Sequence, residues 1–355
     1  MKKYIILQLN IYGMKFLKFT FILLSFFVVF PLFAQNTNTA IIGFYNLENL
    51  FDTINDPNKN DEEFLPDGKN QWNSEKYHIK LKNMADVISL IGAEYGGFAV
   101  LGVSEIENKL VLEDLVAQDK LKPYQLKVAH HDSPDRRGVD VSFLYNPKRF
   151  EFLSLKGFYL SVPNEPNFIT RDQVLMTGVL DHKDTLFIIV NHWPSKSGGE
   201  ARSAPGRFAA GQLSRHICDS IYSIHPNANI IIMGDLNDDP IEKSITKGLG
   251  AKGKIKDMTP KDIYNPMYKM FMDGIGTLAY QDNWNLFDQI MVSYNLIDPN
   301  STNYYKFVEA QVFRKSFMIN KSGSFAGYPF RTFAGGAFIG GYSDHFPVYI
   351  ILQKK

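Results

Sequence analysis

The chain has 355 residues, 45% of them hydrophobic, a formal net charge of +1 and one cysteine, Cys218. Such a charge balance excludes the strong non-specific grip on nucleic acid that a polycation has. A lone cysteine excludes an internal disulfide, so the core must hold the fold.

At the N-terminus, Lys15 and Lys18 precede an apolar run, Phe19–Phe33, that ends at the small Ala34. A charged region, an apolar stretch and a small-residue cleavage point together read as a secretory signal. The run has 15 residues, short of the roughly 20 that span a bilayer as a helix. Residues 1–34 are therefore expected to be removed, leaving a periplasmic or secreted protein with no stable membrane span. Removal takes away four lysines and no acid, so the net charge goes from +1 to −3.

Residues 35–355 read as one mixed α/β domain. Short runs rich in Val, Ile and Phe predict strands at Ile41–Tyr45, Phe98–Val103, Val139–Tyr145, Val174–Leu180, Leu186–Val190, Ile230–Met233, Phe287–Ser293 and Phe346–Leu352. Several are continuous rather than alternating, which implies burial on both faces. Between them, Tyr77, Leu81, Met84, Ile88 and Ile91 recur at helical spacing over Ser74–Ile91, with Asn73 or Ser74 to cap the start. A weaker helix runs from about Asn108 to Gln118. A third spans Pro205–Ile224, with Pro205 in its first turn and Cys218 among its packing residues. Asp52–Asn73 and Gly248–Met272 read as surface loops.

Polar side chains gather at the ends of these strands. Asn46 and Glu48 follow the first, Glu105 the second, Asn191 and His192 another, and Asp235 and Asn237 another. Asp288 stands at a strand entrance, and Asp344 and His345 directly precede the last strand. Each alone fits a turn or a cap; the repetition across six strand ends is what carries information. Glu105, Asn46 and Asp235 offer hard oxygen ligands that suit Mg²⁺ or Mn²⁺. A carboxylate-bound cation, a histidine and an acid near a water are the parts needed to hydrolyse a phosphate ester. The chain has no G-x-S-x-G elbow, no Walker A loop and no H-E-x-x-H helix.

The ordered set Asn46, Glu105, His192, Asp235-x-Asn237, Asp288 and Ser343-Asp344-His345 resembles the endonuclease/exonuclease/phosphatase superfamily. "GDLND" and the terminal "SDHFPV" carry most of that resemblance. "YNLENLFD", "VNHWPSKSGG" and "FDQIMVS" resemble exported bacterial members. The resemblance implies a DNase-I-like four-layer αββα sandwich with the site at one edge. It implies Glu105 as principal metal ligand, with Asn46 and Asp344 at the Mg²⁺ or Mn²⁺. Asp235 would orient or deprotonate the attacking water, or bind metal, and Asn237 would fix the phosphate or the water. His192 would hydrogen-bond a phosphate oxygen. His345 would act as general base or stabilise charge, oriented by Asp288 or Asp344.

Glu48 departs from the pattern, standing where many nuclease members carry a second asparagine. Arg137, Lys196 and Arg202 are candidate substrate contacts by charge and position. Trp193 and Trp284 are assigned to core or rim packing. The expected activity is phosphodiester hydrolysis, with nucleic acid as the first substrate class. A sphingomyelinase-like or inositol-phosphate phosphatase is the alternative, and an exposed apolar loop at Met267–Met272 would serve the lipid case. A non-catalytic binding protein on the same scaffold is the other alternative.

Overall fold

The computed structural model describes residues 38–355; the expected signal segment, residues 1–34, lies outside them. Strand β1 (Thr39–Leu50) leads through a polar loop to helix α1 (Ser74–Ile88). Then come β2 (Val100–Ile106), α2 (Lys109–Val116), β3 (Lys127–His130), β4 (Asp140–Tyr145), β5 (Phe150–Phe158), β6 (Gln173–Leu180) and β7 (Asp184–His192). Helix α3 (Glu200–Ile224) is followed by β8 (Asn229–Asp235), β9 (Ile263–Tyr264) and the short α4 (Met267–Met272). A hairpin of β10 (Leu278–Tyr280) and β11 (Asn283–Asn285) precedes β12 (Asp288–Ser293), α5 (Tyr294–Ile297) and β13 (Tyr305–Val312). A second hairpin, β14 (Phe333–Ala334) and β15 (Ala337–Phe338), precedes β16 (Val348–Lys354).

The strands form two six-stranded sheets, ordered β13-β16-β1-β2-β4-β3 and β5-β6-β7-β8-β12-β9. Side-chain alternation along β1 explains the layering. Ile42 and Phe44 join Val190, Met233 and Ile290 in the core between the sheets. Their neighbours Ile41 and Tyr45 point the other way, against Leu81, Met84 and Ile88 of α1. On the far sheet, Ile189, Ile230 and Ile232 pack against Ala210, Ile217 and Ile221 of α3. Helix, sheet, sheet and helix thus make the expected αββα sandwich, and burial of both strand faces accounts for the continuous apolar runs. The sheets approach closely at Gly102, where an added Cβ would sit 2.5 Å from Met233 Sδ.

Helix starts follow their caps. Asn73 accepts from the Lys76 amide at 3.1 Å, and Asn108 accepts from the Val111 amide at 3.1 Å. Two elements differ from expectation. Helix α3 begins at Glu200, so Pro205 lies inside it rather than in its first turn. Part of the expected loop Gly248–Met272 is ordered as β9 and α4; Met267 is buried and Met272 exposed, so the segment is a short helix rather than the apolar loop of the lipid reading.

Topology places the polar strand ends together. β1 pairs with β2 in parallel, as β7 does with β8, so each pair exits its sheet in one direction. β12 runs antiparallel to β8 and β16 antiparallel to β1, so their entrances meet those exits.

Candidate active site

Register sets the first row of the site. His192 pairs across the sheet with Asp235, and Asp235 with Asp288. On the facing sheet Asn46 pairs with Ser104, after which the ladder is interrupted on both sides of β2. Glu105 sits in that interruption with φ +57°, and Glu48 and Asn49 also adopt positive φ, at 49° and 54°. Irregularities of this kind re-aim a side chain out of the pleat.

Each side chain is then held by a neighbour. The Glu48 amide donates to Asn46 Oδ1 at 2.9 Å, which turns Asn46 Nδ2 toward Asp235 Oδ2, 3.0 Å away. The Asn49 amide donates to Glu105 Oε2 at 3.1 Å. Asn237, at φ +50°, donates its backbone N–H to Asp235 Oδ1 at 3.0 Å and its side chain to the Trp193 carbonyl at 3.0 Å. Asp288 accepts from His345 Nδ1 at 2.7 Å. That bond leaves His345 Nε2 3.8 Å from Asp235 Oδ2. Asp288, not Asp344, therefore orients His345.

At this site two groups of ligand atoms each lie within 4.8 Å: Glu105, His192 and Asp235, and Asp235, Asp288 and His345. His192 Nε2 stands 3.8 Å from Glu105 and 3.6 Å from Asp235, too long for direct hydrogen bonds. Burial pushes the Asp235 carboxyl up to about 7; Asp288 and Glu105 add to the effect and His345 opposes it. Three carboxylates crowded in a dry site are a donor set that a divalent cation fits, since its charge offsets their repulsion. His192 is held well below its ordinary value by burial and by the nearby Arg171 and Arg137, so its imidazole is neutral. For His345, burial alone would lower the pKa, but the carboxylates of Asp288 and Asp235 outweigh it and keep the ring protonated.

Other positions part from expectation. Asp344 belongs to neither group; Arg331 donates to it at 2.9 Å, and its Oδ1 lies 3.9 Å from His345 Nε2. Glu48 also accepts from Arg331, at 3.1 Å, and from the Thr332 amide at 2.7 Å, with the buried Lys80 Nζ 3.7 Å away. Burial raises Glu48 to about 7 and lowers Lys80 to about 8. Lys196 is engaged by Glu200 and Asp238, at 3.3 and 3.5 Å, and lies over the Phe287 ring. Arg137 and Arg202 line a neighbouring cleft. Trp193 is buried, and Trp284 stacks on Phe346. Asp238 and Asp239 are buried anchors for Arg207 and the Leu286 amide.

Arg171 is a residue the motifs did not single out. It is buried and donates to the carbonyls of His192 and Trp193, at 3.2 and 2.7 Å, and to Asp135 at 3.2 Å. It fixes the backbone beneath His192. Its signal was an arginine immediately ahead of an apolar strand.

A family model described as Endonuclease/Exonuclease/phosphatase family matches residues 41–354. The chain belongs to that family. Its members hydrolyse phosphate esters, and its relatives depend on divalent metals. D. rerio TDP2 complexed with single strand DNA product superposes with a TM-score of 0.52 at 13% identity, covering 89% of this chain and 99% of that one. A Bacteroides thetaiotaomicron mannosyl-6-phosphatase gives 0.50 at 16% identity, covering 88% and 99%. An endonuclease/exonuclease/phosphatase family protein from the same organism gives 0.50 at 16% identity, covering 89% and 98%. At these identities the likeness establishes the shared fold. No curated protein matches the chain. No helix among the described residues is long and apolar enough to cross a membrane.

Proposed function

We propose that the protein is an exported phosphodiesterase dependent on Mg²⁺ or Mn²⁺, with nucleic acid as its first substrate class. One observation carries this reading: Asp235 lies within 3.8 Å of both imidazoles and accepts the Asn46 amide. Glu105, with Asp235 and Asn46 beside it, would hold the cation. When bound, that cation would supply Lewis-acid neutralisation of the phosphate charge.

The remaining work falls to side chains. Neutral His192 offers an N–H to a non-bridging phosphate oxygen. Asp235, with its raised pKa and its orientation fixed by Asn237, accepts a proton from the attacking water. Protonated His345, locked by Asp288, places positive charge where negative charge builds in the transition state. The His345 ring is pre-aimed by Asp288 rather than by substrate, which reduces reorganisation during reaction.

The TDP2 complex holds a DNA product, which favours the nucleic-acid reading. The mannosyl-6-phosphatase supports a second reading, a sugar-phosphate monoesterase. The test is the purified mature domain with Mg²⁺ or Mn²⁺ against plasmid DNA, RNA, sphingomyelin, inositol phosphates and mannose 6-phosphate. Glu105→Gln and His345→Ala are each expected to lower kcat by about 10²–10⁴. EDTA should abolish turnover, and either metal should restore it. Activity confined to a monoester would replace the first reading with the second. Full activity in both variants would dismiss this site.

A further inference from the structure

The exits of β1 and β2 also lead into a separate cleft of about 350 Å³. Asp52 and Asp56 enter it from the loop after β1, Glu107 from just past β2, and Asp132 and Asp140 from the β3–β4 loop and the start of β4. One lysine, Lys59, lines the cleft beside these five acids. Its Nζ donates to the carbonyls of Ser133 and Asp135, 3.0 Å from each, rather than to a carboxylate.

The two walls differ in how their acids are met. His130 Nε2 stands 2.9 Å from Asp132 and 3.4 Å from Asp140, and the Ser133 amide donates to Asp140 at 2.9 Å. On the opposite wall Asp52, Asp56 and Glu107 make no ion pair among the described residues. Asp61 lies beneath that wall and is only 2% exposed. Its Oδ2 accepts the Asp56 amide at 2.8 Å, while its Oδ1 has no hydrogen-bond partner among the described residues. Asp52, Asp61 and Asp56 all lie within electrostatic reach of Glu107. A buried carboxylate oxygen without a donor, set among like charges, is costly, and a cation answers both needs.

The donor set selects the ion. Every ligand atom on this wall is an oxygen, and the carboxylates sit on a polar loop rather than in a rigid frame. Ca²⁺ takes about six to eight oxygens in flexible geometry, whereas Mg²⁺ demands a near-ideal octahedron and Zn²⁺ favours nitrogen and sulfur. Asp56, Asn58 and Asn60 place an oxygen-bearing side chain at every second residue, the spacing at which calcium loops present their first ligands.

We propose that Asp52, Asp56, Asp61 and Glu107 bind a calcium ion, distinct from the cation of the reaction centre, that ties the exit of β1 to the exit of β2. Asn49, whose amide holds Glu105, lies three residues ahead of Asp52, and Glu105 lies two ahead of Glu107. The ion would therefore brace both segments that present Glu105. Its binding does not require the phosphoesterase reading.

The test is calorimetric titration of the purified protein with Ca²⁺, after EDTA treatment and return to excess Mg²⁺. One Ca²⁺ should bind per chain with Kd below about 1 mM. Saturating Ca²⁺ should raise Tm by about 3 °C or more. Asp61→Asn/Glu107→Gln should weaken binding roughly tenfold or more and remove the Tm rise. Asp52→Asn/Asp56→Asn changes less buried acids, so it reports on the same ion if the first variant fails to fold, and it too should weaken binding roughly tenfold. Glu105→Gln and Asp132→Asn should each bind Ca²⁺ within about twofold of the natural protein, since neither supplies a ligand. No Ca²⁺ binding in excess Mg²⁺, unchanged affinity in a folded double variant, or loss of binding in Glu105→Gln would overturn the site. Loss in Asp132→Asn, with Zn²⁺ displacing Ca²⁺, would move the ion to His130 and equally overturn it. Calcium binding as described, without hydrolysis of any ester, would keep this site and discard the phosphoesterase reading.

Discussion

Replacing Asp288 by Asn tests how His345 is made to work. The side chain is fully buried and accepts from His345 Nδ1 at 2.7 Å. Asparagine keeps an acceptor oxygen of the same shape, so the substitution removes charge more than contact. At 2.7 Å and an effective dielectric of about 20, the lost attraction is roughly 6 kcal/mol. Asp235, 3.8 Å from the other ring nitrogen, still supplies part of what held the proton. A net loss of about 3–4 kcal/mol of transition-state stabilisation corresponds to a fall in kcat of roughly 10²–10³. The assay is steady-state hydrolysis of bis(p-nitrophenyl) phosphate with Mn²⁺ from pH 5.5 to 9. The imidazolium should be lost at lower pH in the variant, so its activity should decline earlier on the alkaline side, with KM little changed. Stability should follow the same sign. The folded pKa of His345 is raised, so its contribution is complete below the unfolded value, near 6.5, and disappears as pH rises through the folded value. The difference in Tm between natural protein and variant should therefore be widest near pH 6 and narrow in alkali. A variant with kcat within threefold of the natural protein and an unmoved pH profile would refute the charge-pair argument.

Lys80→Met leaves Glu48 buried with Arg331 as its remaining cationic partner, and removes donors to Thr332 and the Tyr342 carbonyl. Breaking a buried pair on one side should cost about 3–5 kcal/mol, read as a lower midpoint in urea. An unchanged midpoint would mean that Lys80 is dispensable. Gly234→Ala places a Cβ 2.2 Å from the Asn191 carbonyl oxygen, at a position with φ +153°. The β7–β8 register should give way, separating His192 from Asp235, and the soluble variant should lose activity by more than tenfold; near-normal turnover would show that the strands absorb the clash. Expression in an exporting host should yield a protein whose intact mass begins near Gln35, and a mass retaining Met1 would remove the signal assignment.

The central layers and the order of the site residues were legible because both depend on local pattern. β1, β2, β7 and β8 are covered on both faces, so their apolar runs stood out, and the polar residue after each run marked its exit. β5 was not legible: it lies at a sheet edge, Phe152 and Leu153 are exposed, and no alternation survives. β13 is another edge strand, with Val308 exposed. The start of α3 was obscured by Pro205, whose ring reads as a helix beginning. The choice between Asp288 and Asp344 as partner of His345 could not be read locally, because it depends on how β12 and the β16 entrance meet. Nor could the buried roles of Lys80 and Arg171, since lysines and arginines are expected at the surface unless tertiary partners hold them.

Glu48, Asn49, Glu105 and Asn237 all bend the chain in the left-handed sense, where glycine would sit without penalty. Each departure of this sort costs on the order of 1 kcal/mol. At Glu105, whose carboxylate accepts a single backbone hydrogen bond, selection for heat resistance alone should therefore drift toward glycine, yielding a sturdier molecule without the carboxylate proposed to hold the cation. A catalogue of thermostable descendants would then double as a map of the groups that turnover needs.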